Sequence, residues 1–582
     1  MRRTKIVCTL GPVSNEVPIL RKLIQAGMDV ARLNFSHGTH EEHAATIAAV
    51  RQAAKEEQRT VAILMDTKGP EIRLGAFQDG KAYLQEGAEF ILTTREVVGN
   101  NCMAAVNYAG LTNDVQPGMQ ILLDDGLIIL DVVKVTAAEI ICRVVTGGEV
   151  SNHKGVNVPG ARLRMPAVSD KDRQDIIFAV EHDLDFIAAS FARTAEDILA
   201  IRAILEEHRS EIHIIAKIEN QEGVDNLDKI LAVADGIMVA RGDLGVEVPA
   251  EEVPLLQKIL IGKCNEAGKP VITATQMLDS MIRNPMPTRA EASDVANAIF
   301  DGTDAVMLSG ETAIGKYPLA AVRTMDRIAR RTETALQYER ILESFQPPVE
   351  RNVTDAIAYA TCHVAKELGA AAIITSTHSG STARNVSKYK PQARIVAVTP
   401  RQEVARKLVL NWGVFPVHCR PAATTDEMFS AALEAAEAAQ YIKKGDLVVI
   451  TAGVPVGVSG TTNLLRVLTV GEVLLQGVGL GKKAVTGKVR LVKSVTEAKE
   501  LQEGEILVVP ATDKNFVPYL EKAGGLLVEE GGLTSHAALV ALHMGLPAIV
   551  GANGALKLLT TGQTITLDTV RGLVYRGKAT VL

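Results

Sequence analysis

The chain has 582 residues, of which 47% are hydrophobic and 22% are charged, a composition typical of globular proteins and not of disordered or fibrous chains. At roughly 150 residues per domain, this length predicts about four domains. The 62 Lys and Arg residues against 68 Asp and Glu give a net charge of −6, and aromatic residues make up 4% of the chain. Without a positive excess or many stacking side chains, a nucleic-acid partner is not expected.

The cysteine pattern and the hydropathy of the chain predict where in the cell the protein is located. The six cysteines are far apart and form no Cys-x-x-Cys pair, which is typical of reduced thiols rather than of a disulfide framework or a zinc site. The apolar run of the N-terminal segment is too short for a signal peptide, and no stretch of about 18 apolar residues occurs. We therefore expect a soluble cytoplasmic protein with no membrane partner.

Short apolar strands alternate with amphipathic helices in the first part of the chain. Eight compact apolar runs have the pattern of strands buried on both faces: Lys5–Gly11, Val30–His37, Val61–Thr67, Asp185–Phe191, Ile212–Glu219, Asp235–Arg241, Pro270–Thr275 and Asp304–Ser309. Helical patterns follow most of them, among them Glu41–Glu57, Ala195–His208, Glu251–Ala267 and Leu319–Arg331. Eight such units predict a TIM (β/α)8 barrel, which we assign to residues 1–69 and 170–345.

One long segment interrupts this alternation, at residues 70–169. Its strand-like alternation and glycine-punctuated turns predict an inserted β-barrel lid domain. An insertion after the third strand lies at the catalytic end of a barrel, where a lid is useful.

The proline pair in Gln346-Pro347-Pro348 marks the next boundary. A second α/β pattern follows, with a helix at Thr354–Leu368 and strands at Ala371–Thr375 and Arg394–Thr399. We assign it to an α/β domain at residues 346–475. A glycine-rich link then leads to a fourth unit, also α/β, at residues 484–582.

Polar side chains cluster at the carboxyl ends of the predicted barrel strands, the end that carries the active site in this fold. Lys217 and Glu219 are two residues apart, so both point to one side of their strand. Glu219 and Asp243 offer two hard oxygen ligands to Mg²⁺, and Lys217 offers positive charge to a phosphoryl group or an enolate. The alternative is a purely structural ion pair between Lys217 and Glu219.

Two further groups of residues are ambiguous from residue type alone. The turn Arg241–Gly245 offers backbone N–H groups to a carboxylate or phosphate, but an exposed turn of this composition is common. Side-chain oxygens at two neighbouring strand ends, those of Asn34, Ser36, Asp66 and Thr67, suit a monovalent cation, although residue types alone favour helix caps.

Seven sequence segments resemble those of pyruvate kinases and occur in that family's order over roughly residues 1–475. They are KIVCTLGP, ARLNFSHG, MDTKGPEIR, KIENQEG, MVARGDLGVE, ITATQMLDSM and PTRAEASDVANAIFDGTDAVMLSGETA. The resemblance implies a TIM barrel with a β-barrel lid, followed by an α/β effector domain. It also implies transfer of the phosphoryl group of phosphoenolpyruvate to ADP, giving pyruvate and ATP in the last step of glycolysis. The family is typically homotetrameric and binds a phosphorylated allosteric effector.

The same resemblance implies roles for the substrate-binding residues. Lys217 matches the lysine that stabilises the transferring phosphoryl group and the enolate, and Arg32 matches the arginine that binds the substrate phosphate. Gly242, Asp243 and Thr275 match the positions that hold the substrate carboxylate, and Thr275 also lies near the proton delivered to carbon.

Metal and nucleotide sites follow from the resemblance as well. Glu219 and Asp243 match the ligands of Mg²⁺ or Mn²⁺. The K⁺ ligands are matched by Asn34, Ser36, Asp66 and Thr67, which reverses the preference for helix caps, and the nucleotide contacts by Asn34, His37, Arg73 and Lys154. Glu71 implies dependence on K⁺, because family members with lysine at this position do without that ion.

A turn in the predicted effector domain, between a strand and a helix, combines hydroxyl groups with backbone N–H groups at a helix start. From its residues alone, a capped turn is favoured over a phosphate cradle. The resemblance implies that it binds the effector phosphate through Thr377, Ser379, Gly380, Ser381 and Thr382.

The last unit departs from most pyruvate kinases, which end with the effector domain. The segment GGLTSHAA at residues 531–538 resembles the swivelling phosphohistidine domain of phosphoenolpyruvate-utilising enzymes, in which His536 would carry the phosphoryl group. The sequence contains no ATP-grasp domain to phosphorylate this histidine, so we expect a structural or interaction role for the unit. The alternatives for the whole chain are a phosphocarrier or dikinase-like enzyme using His536 and a catalytically inactive scaffold.

Overall fold

The computed structural model describes residues 1–345, 352–455, 460–471 and 473–579. The chain divides into two units. The first consists of Met1–Gln346, Ser387–Lys390 and Gln402–Pro416, and the second of Pro347–Val386, Pro391–Arg401 and Val417–Leu582. The predicted boundary at Gln346-Pro347-Pro348 lies outside the described residues.

Three strands and two helices begin the first unit. They are β1 (Lys5–Thr9), α1 (Val17–Ala26), β2 (Val30–Asn34), α2 (His40–Glu56) and β3 (Ala62–Asp66).

The inserted segment is a β domain, as predicted. Its elements are β4 (Lys81–Leu84), β5 (Glu89–Thr93), β6 (Met103–Ala105), α3 (Leu111–Asp114), β7 (Gln120–Leu123), β8 (Ile128–Val135), β9 (Glu139–Thr146), β10 (Gly148–Ser151) and β11 (Val156–Asn157). The strands form a six-stranded sheet in the order β11-β7-β8-β9-β5-β6 and a two-stranded sheet of β10 and β4. This lid has its own hydrophobic core, which includes Phe90, Leu92 and Leu130.

The barrel then resumes with strands and helices in alternation. They are α4 (Asp170–Glu181), β12 (Phe186–Ala189), α5 (Ala195–Glu207), β13 (His213–Ile218), α6 (Gln221–Asp225), α7 (Leu227–Val233), β14 (Gly236–Ala240), α8 (Arg241–Glu247), α9 (Val253–Ala267), β15 (Val271–Ala274), α10 (Arg289–Asp301), β16 (Ala305–Leu308), α11 (Gly310–Ala313), α12 (Pro318–Glu333) and α13 (Tyr338–Ser344), with a 3₁₀ turn at Asp279–Ile282 before α10.

Eight parallel strands close into a barrel in the order β1-β16-β15-β14-β13-β12-β3-β2, which confirms the TIM barrel. Each of the eight predicted strands is present, and all eight are shorter than the prediction. The run predicted as Val30–His37 ends as a strand at Asn34, because Phe35 is buried in the turn that follows. Buried apolar residues that follow a strand without pairing in the sheet therefore made the predicted strands too long.

Local sequence also fixes where several barrel helices begin. In α2, α4 and α10 the residue before the helix is Thr39, Ser169 and Thr288, and each forms a capping box with an acidic side chain three residues later. A capping box satisfies two backbone N–H groups that the first turn leaves unpaired. The local sequence before each of these helices therefore sets its first residue.

The following α/β region contains a five-stranded sheet. Its elements are α14 (Val353–Glu367), β17 (Ala372–Ser376), α15 (Ser381–Lys388), β18 (Arg394–Thr399), α16 (Gln402–Leu408), β19 (Val414–His418), α17 (Thr425–Ala438), β20 (Leu447–Gly453) and β21 (Thr462–Thr469). The sheet order is β19-β18-β17-β20-β21, with β21 antiparallel to β20. The predicted helix and both predicted strands of this region are present, shifted by at most one residue.

The last part of the chain forms an eight-stranded sheet in the order β22-β29-β28-β24-β25-β26-β27-β23. Its elements are β22 (Val473–Gln476), β23 (Val478–Leu480), β24 (Ala484–Leu491), β25 (Ile506–Val509), α18 (Val517–Leu520), β26 (Gly525–Val528), α19 (His536–Met544), β27 (Ala548–Val550), α20 (Ala555–Leu558), β28 (Thr564–Asp568) and β29 (Leu573–Arg576), with short 3₁₀ turns at Glu497–Glu500 and Lys514–Phe516.

All six cysteines are free thiols, as the sequence predicts. Among the residues that the model describes, no helix is both long enough and apolar enough to span a membrane.

A buried ion pair stabilises the first unit at the amino-terminal end of β16. Lys390 Nζ lies 2.9 Å from Asp304 Oδ1, and each residue is 4% exposed. The same carboxylate accepts the N–H groups of Trp412, at 3.1 Å, and Val271, at 3.0 Å. Burial lowers the pKa of Lys390 in spite of Asp304, so the charged pair is held under a desolvation cost.

We predict that Lys390→Met destabilises the first unit by about 3 kcal/mol, because it leaves the Asp304 carboxylate buried without a counter-charge. The loss of structure can be followed in urea through the fluorescence of Trp412, the single tryptophan of the chain. Lys390→Met combined with Asp304→Asn should recover part of the loss. A single variant as stable as the parent protein would contradict this role of the pair.

Candidate active site

Lys217 is the centre of a buried polar network at the carboxyl end of β13. Its Nζ lies 2.8 Å from Glu219 Oε1, 3.1 Å from Asp66 Oδ1 and 2.8 Å from Ser190 Oγ. Lys217 is 9% exposed, and both carboxylate residues are 1% exposed. Three adjacent strands, β3, β12 and β13, thus contribute to one cluster of opposite charges.

The charges of this network determine its protonation. Burial alone would lower the pKa of Lys217, but the nearby carboxylates of Asp66 and Glu219 outweigh burial and raise it, so the amine stays protonated. Burial likewise opposes ionisation of Asp66, but Arg32 and Lys217 hold the pKa of this carboxyl below its usual range. Lys217 is therefore a permanent cation at the barrel mouth.

For Glu219, burial and a neighbouring charge favour the neutral form of the side chain. Burial raises the pKa of its carboxyl to about 7, and the negative charge of Asp243 acts in the same direction, although Lys217 opposes both. Its Oε2 also accepts the Phe191 N–H at 2.6 Å. A cation beside Glu219 would favour its ionised form, which agrees with the prediction of this residue as a metal ligand.

Arg32 extends the network on the neighbouring strand. Its Nε donates to Asp66 Oδ2 at 2.7 Å, and its Nη1 donates to Thr9 Oγ1 at 2.8 Å. Asp66 thus bridges Arg32 and Lys217, and the two cations predicted to bind substrate are oriented by one carboxylate.

Ser190 is a member of this network that our sequence analysis did not include in the site. Its Oγ lies 3.0 Å from Asp66 Oδ1 and 2.7 Å from the Thr67 carbonyl oxygen, besides accepting from Lys217. The chain at Gly69 passes so close that a Cβ there would lie 2.8 Å from the Ser190 Cβ, and Gly69 has φ +70°, so this position requires glycine. The position of Ser190 at a strand end was the available signal.

The start of α8 holds the residues predicted to bind the substrate carboxylate. Sequence reasoning took Arg241–Gly245 for a turn, but it is the start of a helix, and Gly242 and Asp243 lie in its first turn. The Gly242 N–H donates to Thr275 Oγ1 at 2.7 Å, which brings the predicted carboxylate-binding residues together. Thr275 has φ +64°, an unfavourable conformation for a β-branched residue and one that clusters at functional sites.

The four predicted K⁺ ligands lie at the ends of β2 and β3, two neighbouring strands. Asn34 and Asp66 are register partners in the barrel. Asn34 Oδ1 accepts the Ser36 N–H at 3.1 Å, and Thr67 Oγ1 accepts the Ser190 N–H at 3.1 Å. None of the four caps α2, whose N-cap is Thr39. The helix-cap interpretation that residue types alone favour therefore does not apply to α2, and the K⁺ assignment stays a prediction.

A cavity of about 590 Å³ opens at this end of the barrel and is lined by lid and barrel residues. Arg73 and Lys154 line it from the lid, together with Glu219 and Asp243 from the barrel. Arg73 Nε pairs with Glu71 Oε2 at 2.6 Å, and Lys154 Nζ pairs with Asp124 Oδ1 at 2.8 Å. Of the predicted nucleotide contacts, Asn34 and His37 do not line this cavity; the His37 carbonyl oxygen lies 2.9 Å from His43 Nε2.

The lid contributes a carboxylate that sequence reasoning missed. Asp125 lines the cavity, and its pKa is raised by burial and by the charges of Asp243 and Asp124. Within the described residues, no group of three or more His, Cys, Asp or Glu side chains is arranged to hold a metal. Glu219 and Asp243 alone fit Mg²⁺, which is commonly bound by one or two carboxylates, with water and substrate oxygens as further ligands.

Family models match three parts of the chain. These are the pyruvate kinase barrel domain over residues 1–322, the pyruvate kinase alpha/beta domain over 355–468 and the mobile domain of PEP-utilising enzymes over 501–572. The chain is 55% identical to a pyruvate kinase of Geobacillus stearothermophilus and 53% identical to one of Bacillus licheniformis, in each case over 100% of both chains. The chain belongs to the pyruvate kinase family.

A crystal structure of a pyruvate kinase from Cryptosporidium parvum has the same fold. It superposes with a TM-score of 0.77 at 42% identity, covering 80% of this chain and 96% of that one. As a member of the pyruvate kinase family, the protein is a phosphotransferase. The full-length relatives match the chain from end to end, so the C-terminal unit is shared with them.

The second unit contains the turn predicted to bind an effector phosphate. Thr377 Oγ1 accepts the Gly380 N–H at 2.9 Å, and Thr382 Oγ1 lies 2.7 Å from Thr462 Oγ1. Thr377, Ser379 and Thr382 line a cavity of about 400 Å³, whereas Gly380 and Ser381 do not.

Two arginines of this cavity, Arg401 and Arg420, were missed in the sequence analysis. They follow β18 and β19, which continue the sheet beyond β17. Carboxyl ends of neighbouring parallel strands meet at one edge, which was the signal that could have identified them.

His536 begins α19 in the last part of the chain, the region at residues 484–582 that we call the C-terminal unit. Its Nδ1 lies 3.0 Å from Thr512 Oγ1, and the N-cap residue Ser535 accepts the Ala538 N–H at 3.3 Å. Thr512 and His536 follow β25 and β26, which are adjacent and parallel. The hydrogen bond to Thr512 fixes one ring nitrogen and leaves Nε2 as the other position for chemistry.

We predict that Ser190→Ala lowers kcat by roughly tenfold, since it removes a hydrogen bond to a charged group that orients Lys217 and Asp66. The thermal unfolding temperature should change little, because the removed atom is a single hydroxyl. Steady-state kinetics with phosphoenolpyruvate and ADP measure the effect. An unchanged kcat would show that Lys217 needs only its two carboxylates.

Proposed function

We propose that this protein transfers the phosphoryl group of phosphoenolpyruvate to ADP and yields pyruvate and ATP, as the last step of glycolysis in the cytoplasm. The observation that carries the proposal is the permanently charged Lys217, held by Asp66 and Glu219 beside a cavity whose lid side presents Arg73 and Lys154. Membership of the pyruvate kinase family supports the same reaction.

The charges of the site suit a reaction between two anions. Lys217 and Arg32 bind the phosphoryl group and offset its repulsion from the terminal phosphate of ADP. Gly242 and Asp243, in the first turn of α8, hold the substrate carboxylate with Thr275. Arg73 and Lys154 hold the nucleotide on the lid side, with Asn34 and His37 as further contacts.

The phosphoryl group moves in line. The bond between phosphorus and the enol oxygen breaks as a terminal oxygen of ADP bonds to phosphorus, and the bonding electrons remain on the enolate. Lys217 stabilises this enolate, because its protonated amine offsets the negative charge that develops. A proton then adds to carbon on the side where Thr275 lies, and pyruvate forms.

Two cations complete the site in this proposal. Glu219 and Asp243 hold Mg²⁺ or Mn²⁺, which when bound neutralises phosphate charge. Asn34, Ser36, Asp66 and Thr67 hold K⁺. Glu71 supports the K⁺ requirement: its carboxylate pairs with Arg73, so this position offers no cation that would replace the ion.

The first experiment measures ATP and pyruvate formed from phosphoenolpyruvate, ADP and Mg²⁺, with and without K⁺. We expect equal amounts of the two products and a sharp fall in rate without K⁺. Lys217→Met should reduce kcat by about 10²–10³-fold while substrate still binds, because a charge that stabilises the transition state is removed. Lys81→Met, at an exposed lid lysine, is the matched control.

The outcomes separate the parts of the proposal. Activity that is indifferent to K⁺ would keep the kinase and reject the role of Glu71. Near-normal turnover by Lys217→Met would reject the role of Lys217. If neither product forms, even with phosphorylated effectors present, the scaffold hypothesis replaces the enzyme.

We also infer the regulatory and assembly properties that are typical of the family. A phosphorylated allosteric effector binds at Thr377–Thr382, supported by the two arginines of the adjoining cavity. The protein is a homotetramer. Its domains are the barrel at residues 1–69 and 170–345, the lid at 70–169, the effector domain at 346–475 and the phosphohistidine-like domain at 484–582.

A second candidate function concerns His536, because its ring is oriented by Thr512 at a helix start that favours an anion. In this function His536 accepts a phosphoryl group from phosphoenolpyruvate. Incubation with phosphoenolpyruvate should then produce acid-labile phosphate that His536→Ala lacks. A signal that persists in His536→Ala, or no signal at all, leaves the unit with the structural or interaction role.

A further inference from the structure

A hydrogen bond joins the last strand of the lid to the barrel helix that carries the substrate and metal residues. The Asn157 side-chain amide donates to Glu247 Oε1 at 2.9 Å. Asn157 ends β11, and its backbone is paired with Leu122 of β7 in the six-stranded lid sheet. Glu247 is the last residue of α8. The donor therefore moves with the lid, and the acceptor belongs to the barrel.

The barrel already fixes the start of α8. Arg241 Nη1 donates to Asp294 Oδ1 at 2.7 Å, and Arg241 Nη2 donates to the Thr275 carbonyl oxygen at 2.8 Å. Asp243 follows in the first turn, and Glu247 lies four residues later on the same face of the helix. The lid thus adds a side-chain hydrogen bond at the end of α8, whose start is already held by the barrel.

The surroundings of Glu247 act on the pKa of its carboxyl in opposite directions. Burial raises the pKa of its carboxyl, as does the charge of Asp243, whereas the hydrogen bond from Asn157 lowers it. The amide thus stabilises the ionised form of a half-buried carboxylate that lines the cavity. Both residues line the same cavity as Glu219, Asp243, Arg73 and Lys154.

A second contact joins the lid to the barrel, at the segment through which the chain returns from the lid to the barrel. Arg193 donates to the carbonyl oxygens of Leu163, at 2.7 Å, and Met165, at 2.8 Å, and these lie just before the barrel resumes at α4. This contact involves backbone at the lid's exit, so it serves as a hinge anchor. The Asn157 contact joins two side chains about 90 positions apart and does not involve the connecting segment.

We propose that the hydrogen bond between Asn157 and Glu247 is a latch that holds the lid closed and, through α8, holds Asp243 in position to bind the divalent cation and the substrate. Asn157 and Glu247 are positioning residues. The latch rests on the proposed function, since it acts on the metal and nucleotide sites of that reaction.

The latch is tested by variants that remove the hydrogen bond between Asn157 and Glu247 and by one that exchanges its donor and acceptor. N157D sets two carboxylates against each other, and we expect the half-saturating concentrations of Mg²⁺ and ADP to rise by roughly tenfold to a hundredfold, with a lower kcat. N157A removes the donor without adding charge and should show a smaller rise. N157D/E247Q moves the carboxylate to the lid and the amide to α8, and it should return both constants to within about threefold of the parent protein.

The exposed lid residue Asn101 supplies the matched control, because N101D adds the same charge outside the cavity. Hydrogen–deuterium exchange on the intact protein gives a second readout, with faster exchange expected in β11 and α8 of N157D and recovery in the double variant. The latch is wrong if N157D behaves like N101D, or if the double variant shows no recovery. An inactive parent protein would instead overturn the proposed function, and the latch with it.

Discussion

The buried ammonium of Lys217 is the interaction on which the active site depends. It lies between Asp66 and Glu219, and its positive charge persists because two carboxylates outweigh the cost of burial. Asp66 also orients Arg32 and accepts from Ser190, so five side chains at the ends of β2, β3, β12 and β13 share a single charge balance. Removal of one charged member would leave an oppositely charged neighbour buried without its partner, so the charged side chains of the network depend on one another.

The remaining parts of the site are supplied by helix α8, the end of β15 and the lid. Helix α8 brings Gly242 and Asp243 to Thr275, whose backbone is held in an unfavourable conformation at the end of β15. The lid brings Arg73, Lys154 and Asp125 to the same cavity from a domain with its own core. The barrel thus supplies the buried charge cluster, while the lid supplies further charged groups to the same cavity.

The C-terminal unit at residues 484–582 carries a phosphohistidine-like motif, but the motif alone does not make a phosphoryl carrier. His536 begins a helix and is oriented by Thr512, as a phosphoryl carrier requires. The family relatives that match the whole chain are pyruvate kinases, so the unit accompanies that activity in them. A carrier also needs a partner that delivers or removes its phosphoryl group, and that requirement cannot be met by the geometry of one histidine.

The sequence by itself determined the barrel, because eight apolar runs of strand length, each buried on both faces, have few other arrangements. It also located Lys217, Glu219, Asp66 and Arg32, since the carboxyl ends of parallel barrel strands converge. Only the tertiary structure decided that Ser190 belongs to the network, that Arg241–Glu247 is a helix and that Asn157 meets Glu247. Ser190 depends on the close passage of Gly69, and the meeting of Asn157 with Glu247 depends on how the lid lies over the barrel. Local patterns cannot encode such contacts, because they join side chains that are distant in sequence and are fixed only when the whole unit packs.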